Sequence, residues 1–363
     1  MYEYSHGGNA VFEAGKSNII DLSANINPLG IPQSITDAIL KEVYNINSYP
    51  DHFSNELRQH IGLFENISPD WVFCGNGASD IIFRLPRALQ AKKVLVTAPT
   101  FSDYERSAHS FGSEVIYYSL TAHNHFAVND KIIEFIQRKS PDIVFICNPN
   151  NPTGQLTEVA IIEEVLDYCE KIGAKVVVDE CFLDFVKQAK EYTSKIFLDK
   201  YSNLIILKAF TKIFAIPGIR LGYALSADDR LLENLYFHGS DWSVSNLAQA
   251  AGIAALQNAK AFIEQTEEYV SKERYRMENR LKQMGYKVFE ASANYVFFQS
   301  PYPFDLQYEL DKKGIRIRSC RNVQGLDDSY YRIAVSTKEN NTIVLAAIAE
   351  IVDSHSKANG TCK

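Results

Sequence analysis

From Trp71 to Leu207 one pattern repeats: a short unbroken apolar run, a polar turn, then an amphipathic stretch. The runs Trp71–Cys74, Lys93–Thr97, Glu114–Ser119, Asp142–Cys147, Lys175–Val178 and Leu204–Leu207 read as strands. Between them, a stretch from Ile81 and the stretches Asp103–Phe111, Asp130–Arg138 and Thr157–Ile172 carry helical spacing. Strands that are apolar on both faces and alternate with helices predict a mostly parallel sheet covered on each side. Upstream, Ser34 is expected to cap a helix running to Val43, and Tyr49-Pro50-Asp51 breaks the chain before a second helix, Ser54–Phe64. After Gly222 the pattern turns helical, through Asp228–Phe237, Asn246–Leu256 and a long run, Ala261–Met284. Strand-like runs then return at Tyr286–Glu290, Asn294–Gln299, Ile315–Arg318 and Tyr330–Val335, mixed with helices Leu306–Lys313 and Asn340–Val352. This predicts a loop-rich N-terminal arm over residues 1–35, a large α/β domain over 36–260 and a smaller α+β domain over 261–363, with Ala261–Met284 as connector.

Composition narrows the partners more than the fold. The 363 residues are 46% hydrophobic and 22% charged, enough for a large core plus a smaller one. A formal net charge of −7 argues against nucleic acid or an anionic membrane as the main partner. The first residues lack the basic and apolar regions of a secretory signal, and no run reaches membrane-span length. The six cysteines show no metal-ligand spacing, so no metal is expected. A reducing cytoplasm is the simplest compartment.

Ligands in sheets of this kind bind beyond the carboxyl ends of the strands. Four loops begin there: Gly75–Asp80, Asn148–Gly154, Asp179–Phe185 and Ala209–Arg220. The first runs strand, Gly75-Asn76-Gly77, helix start, an arrangement whose amides accept a phosphate. The last carries Lys212 in an apolar neighbourhood, where burial lowers an amine's pKa and prepares it as a nucleophile. Singly, each has an ordinary reading: Lys212 a solvated lysine, Asp179 a strand-end cap, Asn151 a turn former, Arg332 a surface cation.

Together the order is specific. Asn148-Pro149-Asn150-Asn151-Pro152-Thr153-Gly154, then Asp179-Glu180, then Thr211-Lys212, then Gly218-Ile219-Arg220-Leu221-Gly222-Tyr223 resembles the fold-type I pyridoxal-phosphate enzymes of the aspartate-aminotransferase superfamily. That resemblance implies a seven-stranded, mostly parallel sheet between helices, a small C-terminal domain and pyridoxal 5′-phosphate as cofactor. It assigns Lys212 as the catalytic residue that carries the cofactor as a Schiff base and moves protons at Cα. Asp179 would keep the pyridine nitrogen protonated, Asn151 would bond the ring 3′-oxygen, and Phe101 would cover the ring. Gly77, Ala78, Ser79, Thr211 and Arg220 would hold the phosphate. Tyr49 would reach the cofactor of a neighbouring subunit, which implies a homodimer.

Within that superfamily the segments His6-Gly7-Gly8-Asn9, Ser23-Ala24-Asn25-Ile26-Asn27-Pro28-Leu29-Gly30, Phe214-Ala215-Ile216-Pro217-Gly218, Trp242-Ser243-Val244 and Ile317-Arg318-Ser319-Cys320 resemble the threonine-phosphate decarboxylases of cobamide synthesis. So does Phe182, where histidinol-phosphate aminotransferases usually carry a tyrosine. The resemblance implies decarboxylation of L-threonine O-3-phosphate to (R)-1-aminopropan-2-yl phosphate, with serine phosphate as a variant. Arg318 would bind the substrate phosphate, helped by His6, Asn25 and Asn27, and Arg332 the carboxylate. The alternative is an aminotransferase acting on a phosphorylated or phosphonylated amine, such as histidinol phosphate or 2-aminoethylphosphonate. Two positions depart from the pattern: Ala209 stands where many relatives have a phosphate-binding serine, and Ser336 where the compared decarboxylase has an arginine.

Overall fold

The computed structural model describes residues 7–8 and 19–358. In chain order its strands are β1 (Ile20–Asp21), β2 (Val72–Gly75), β3 (Lys93–Ala98), β4 (Glu114–Ser119), β5 (Ile143–Cys147), β6 (Lys175–Asp179), β7 (Leu204–Ala209), β8 (Gly222–Leu225), β9 (Lys287–Phe289), β10 (Tyr295–Gln299), β11 (Ile315–Arg316), β12 (Arg318–Ser319) and β13 (Tyr330–Ala334).

Seven of them form the central sheet in the order β2-β8-β7-β6-β5-β3-β4. All neighbours pair in parallel except β8, which runs antiparallel to both β2 and β7. The expected mostly parallel α/β sheet is therefore present. β8 is a correction, because the chain after Gly222 was expected to be helical. Its four residues, Gly-Tyr-Ala-Leu, are too few to show a period, and they become a strand by lying between β2 and β7. The sheet is buried on both faces, with Val94, Val96, Phe145, Val177 and Ile205 in one apolar cluster and Leu95, Val144, Ile146, Val176 and Ile206 in the other. This alternation assigns each strand's odd and even positions to different cores.

Helix starts depart from expectation by a few residues. The first helix is Gln33–Glu42 and follows Pro32, so Ser34 lies inside it instead of capping it. Ser54 precedes Asn55–Glu65 in a left-handed conformation and makes no side-chain cap bond. The helix expected from Ile81 begins at Ala78, directly after Gly77, because Ala78-Ser79-Asp80 is small and polar yet already helical. The helix expected from Thr157 is Val159–Ile172.

The C-terminal part holds the antiparallel sheet β12-β13-β10-β9. Ile315–Arg318, expected as one strand, is two: β11 pairs in parallel with β1, and β12 pairs with β13. Leu22 of the N-terminal arm packs in the C-terminal cluster with Val296, Phe298, Ile317 and Ile333. The helix Ala259–Gln283 contributes Ala259 and Val270 to the large core and Met277 and Leu281 to the small one. That single rigid element fixes the two cores to each other.

Candidate active site

A cavity of about 740 Å³ opens where the carboxyl ends of β5, β6 and β7 meet the arm and the C-terminal sheet. It is lined by Ala78, Ser79, Phe101, Asn151, Asp179, Thr211, Lys212, Arg220, Asn25, Asn27, Arg318 and Arg332, which brings together residues spread over most of the chain. Two of the described residues expected here are not on its wall, and one expected residue is not described. Gly77 stands behind Arg220, Tyr49 is 80% exposed and stacks on Trp242, and His6 lies outside the described residues.

At one end the chain is shaped for an anion. Gly77 has φ +79° and ψ 161°, a conformation open to glycine, and it starts the helix Ala78–Ala88. A Cβ at Gly77 would stand 2.6 Å from Arg220 Nη2, so the absent side chain is what lets the guanidinium lie against the helix start. Arg220 itself has φ +60°, and its Nη1 donates to the Pro217 carbonyl. β8 presses on the same turn, since a Cβ at Gly222 would lie 2.5 Å from Ala78 N. Thr211 is buried beside this end. The Ser79 hydroxyl donates to Asp103 Oδ2 at 3.0 Å, so the support Ser79 offers a phosphate is its backbone amide.

In the centre lie Asp179 and Lys212. Asp179 ends β6, and its Oδ2 accepts from Tyr104 Oη at 2.6 Å while Oδ1 accepts from Cys181 N at 3.0 Å. Burial pushes this carboxyl up, and the Cys181 and Tyr104 donors pull it back. Burial also raises Tyr104 well above its ordinary value, which keeps it a neutral donor. Tyr104 was missed in the sequence; its place three residues after Phe101, on the same cavity wall, was the available signal. Lys212 sits on the short helix Phe210–Ile213 directly after β7. Burial, then the nearby Arg332 and Arg220 cations, brings its amine down to about 8, with Cys181 opposing. The apolar-neighbourhood argument therefore points the right way, and two arginines add to it.

At the other end Arg318 and Arg332 are directly opposite each other across β12 and β13, and both face the cavity. Arg332 donates to Asn151 Oδ1 and to the Ser23 carbonyl at 2.6 Å, and its ring-side neighbour is Tyr295, 5.5 Å away. Burial lowers Arg332 to about 10, still fully cationic near neutrality. Arg318 donates to Asn322 Oδ1 at 3.0 Å. Asn25 is buried and its Oδ1 has no hydrogen-bond partner among the described residues. Asn27 behaves otherwise: its Nδ2 donates to the Ile213 carbonyl at 2.6 Å and to Thr266 Oγ1 at 2.8 Å. Its amide is thus committed to the protein, not presented to a substrate phosphate. Ser336 and Ala209, the two departures, also line the cavity.

This set fits pyridoxal phosphate on structural grounds. The side-chain-free Gly77 leaves room for a cation against a helix start, a buried carboxylate lies in mid-cavity, and a depressed amine lies on the neighbouring strand end.

Comparison with known proteins shows the family and the fold. The family model for class I and II aminotransferases matches residues 17–348. The chain is 32% identical to the threonine-phosphate decarboxylase of Salmonella typhimurium over 361 residues, covering 97% of this chain and 98% of that relative. It is 31% identical to the histidinol-phosphate aminotransferase of Methanococcus aeolicus over 350 residues, covering 94% and 92%. Among solved structures it is similar to the histidinol-phosphate aminotransferase from Clostridium acetobutylicum, with a TM-score of 0.86 at 31% identity, over 93% of this chain and 100% of that one.

Proposed function

The chain belongs to the class I and II aminotransferase family, whose members depend on pyridoxal phosphate, and from that premise we propose that it decarboxylates an O-phosphorylated small amino acid. The expected substrate is threonine phosphate, with serine phosphate as a variant. The observation that carries this reading is the pairing of Arg318 with Arg332. Like charges directly opposite on an antiparallel pair are destabilising, unless the ligand they face is itself anionic. A phosphoamino acid brings a phosphate and a carboxylate, one for each guanidinium. The similarity to a threonine-phosphate decarboxylase over nearly the whole chain supports the same reading.

In this reading the amides of Ala78 and Ser79, with Thr211, Arg220 and the Gly77 turn, hold the cofactor phosphate. Asp179 would meet the ring nitrogen, Asn151 the 3′-oxygen and Phe101 the ring face. When bound, pyridoxal phosphate supplies an electron sink for the pair released as a bond to Cα breaks. Arg332, deep in the cavity, would hold the substrate carboxylate and Arg318 the phosphate, so the two would fix the orientation of the substrate about Cα. Asn25, whose buried carbonyl oxygen has no partner among the described residues, accepts a hydrogen bond from the substrate side. Lys212 Nζ, whose pKa of about 8 leaves the protonated form abundant near neutrality, returns a proton to Cα after carbon dioxide leaves.

Incubation with threonine phosphate, with and without an oxo-acid acceptor, tests this. Carbon dioxide release without an acceptor is the expected result. Turnover only with an acceptor would instead identify an aminotransferase on a phosphorylated amine, a reading that the 31% identity to histidinol-phosphate aminotransferases favours. The cavity residues are shared by both; the angle at Cα differs.

A second copy of the chain is the partner in this reading. Tyr44, Ile46, Tyr49, Phe53 and Trp242 are exposed large apolar side chains, and Tyr49 stacks on Trp242 away from its own cavity. Such a patch is what a homodimer would cover. Among the described residues no helix is long and apolar enough to cross a membrane. The cytoplasm is the proposed location.

A further inference from the structure

Lys212 stands on a helix of four residues, Phe210–Ile213, in which Phe214 N donates to the Phe210 carbonyl at 3.2 Å and Ala215 N to the Lys212 carbonyl at a longer 3.3 Å. The end of that helix is closed by a residue from the opposite end of the chain. Asn27 N donates to the Lys212 carbonyl at 3.1 Å, and Asn27 Nδ2 donates to the Ile213 carbonyl at 2.6 Å. The same Nδ2 reaches Thr266 Oγ1 at 2.8 Å, and Thr266 in turn donates to the Phe262 carbonyl within the long helix. The amide cannot flip without loss, because its Oδ1 accepts from Leu29 N at 2.9 Å. Asn27 is 3% exposed. All of its side-chain hydrogen-bonding capacity toward the Lys212 turn is therefore used.

The strap that carries Asn27 is anchored at its other end to the C-terminal sheet. Leu22 N donates to the Arg316 carbonyl and Ala334 N to the Leu22 carbonyl. One residue on, the Ser23 carbonyl accepts from Arg332 Nη2. Residues 22–27 thus span from the arginine assigned to the substrate carboxylate to the backbone of the reacting lysine.

We propose that Asn27 is a positioning residue for Lys212, and that the strap Leu22–Asn27 couples the placement of Arg332 to that of the lysine. It does not bind the substrate. This rests on Lys212 being the reacting lysine, but not on which phosphorylated amine is turned over. Fixing two consecutive carbonyls leaves Lys212 Nζ to move on its side chain alone, from a backbone that stays in place. Loss of the clamp lets the short helix loosen and water enter beside an amine now faced by Arg332, Arg220 and Cys181.

The test uses Asn27→Ala, with Thr266→Val as a milder variant that keeps Asn27 and removes one partner of its amide. In the cofactor-free protein, the pH dependence of Lys212 labelling by an amine-reactive reagent, read by mass spectrometry, needs no substrate. The expected result is a labelling midpoint that rises from about 8 toward the ordinary lysine value in Asn27→Ala, and by less in Thr266→Val. In the loaded enzyme kcat falls about 10- to 100-fold while KM stays within about threefold, the signature of misplacement and not of lost binding. A KM raised about tenfold or more with the midpoint and kcat unmoved would make Asn27 a substrate ligand and overturn the proposal. So would a lower melting temperature alone, with midpoint and kcat unchanged. If Asn27→Ala does not fold, Thr266→Val decides by the same two readouts. Failure of the decarboxylase reading shows separately, as absent carbon dioxide release from the unaltered protein.

Discussion

Lys212 illustrates how far a single residue can be argued. Its amine is expected to titrate near 8, so below that pH it is protonated and cannot attack an aldehyde. The rate at which the cofactor-free protein captures pyridoxal phosphate should climb through about 8 and then level off. An ordinary lysine would keep gaining up to about 10.4. Stopped-flow absorbance across the pH range distinguishes the two. Lys212→Ala should lose at least about 10³-fold in turnover, along with the colour of the covalently held cofactor. Gly77→Ala is a sharper probe of the phosphate end. It should lose about 1–3 kcal/mol of stability from the backbone conformation alone. Because its Cβ would meet Arg220 at 2.6 Å, cofactor affinity should drop about tenfold, measured by equilibrium titration.

At the scale of elements, the site depends on what lies behind the strand ends. Lys208 on β7 is buried among Glu65, Glu180 and Asp184 at 3.8, 3.6 and 3.7 Å. Glu180 follows Asp179 directly and also accepts from Ser194 N and the Thr193 hydroxyl. Glu65 closes the helix Asn55–Glu65 and accepts from Tyr223 on β8 and from Lys195. The cluster ties β6, β7, β8 and that helix together one residue away from Asp179. Removing the central cation as Lys208→Met takes this partner from Glu180 and Asp184 and leaves Glu65 with Lys195, and should cost about 3–5 kcal/mol, read by chemical denaturation at neutral pH. The loss should shrink in acid, as the stranded carboxyls protonate and no longer need the cation. β8 is the other supporting element. Gly222→Val would drive side-chain atoms into Ala78 N and the Lys208 carbonyl, and a drop of a few kcal/mol, roughly 1–3, is expected together with weakened cofactor binding.

At the scale of the molecule, the cavity lies between two cores joined by one helix, Ala259–Gln283, and by the strap at residues 22–27. The loop of Asn150 and Asn151 adds cross-links: Tyr295 Oη donates to the Asn150 carbonyl at 2.8 Å, and Ser292 N to the Gly154 carbonyl at 2.9 Å. The C-terminal sheet is therefore bonded both to the strap and to the loop after β5. In the proposed homodimer, the exposed Tyr49–Trp242 pair belongs to the face that a second copy would cover. Tyr49→Ala should weaken self-association about tenfold in sedimentation velocity and lower cofactor affinity in parallel. A change in the first without the second would remove Tyr49 from the partner's site.

What the sequence determined by itself is whatever depends on short range. Apolar runs located the parallel strands to within a residue or two, and the residues just past them, Asp179, Asn151 and Lys212, were legible because a strand end must be followed by a loop at the ligand-binding edge. The Gly77 turn was readable for the same reason, although the helix after it starts three residues earlier than its apolar spacing shows. Tertiary structure decided the rest, because the physics is in pairings between distant segments. β8 is a strand only by lying between β2 and β7. Arg318 and Arg332 face one another through a register that no local pattern specifies. Asn27 looked like a ligand donor in an Asn-rich loop, yet its amide closes a carbonyl 186 residues away. A polar side chain's valence is spent on whichever partner the fold brings within hydrogen-bond reach, and that partner is set by the packing of the whole chain.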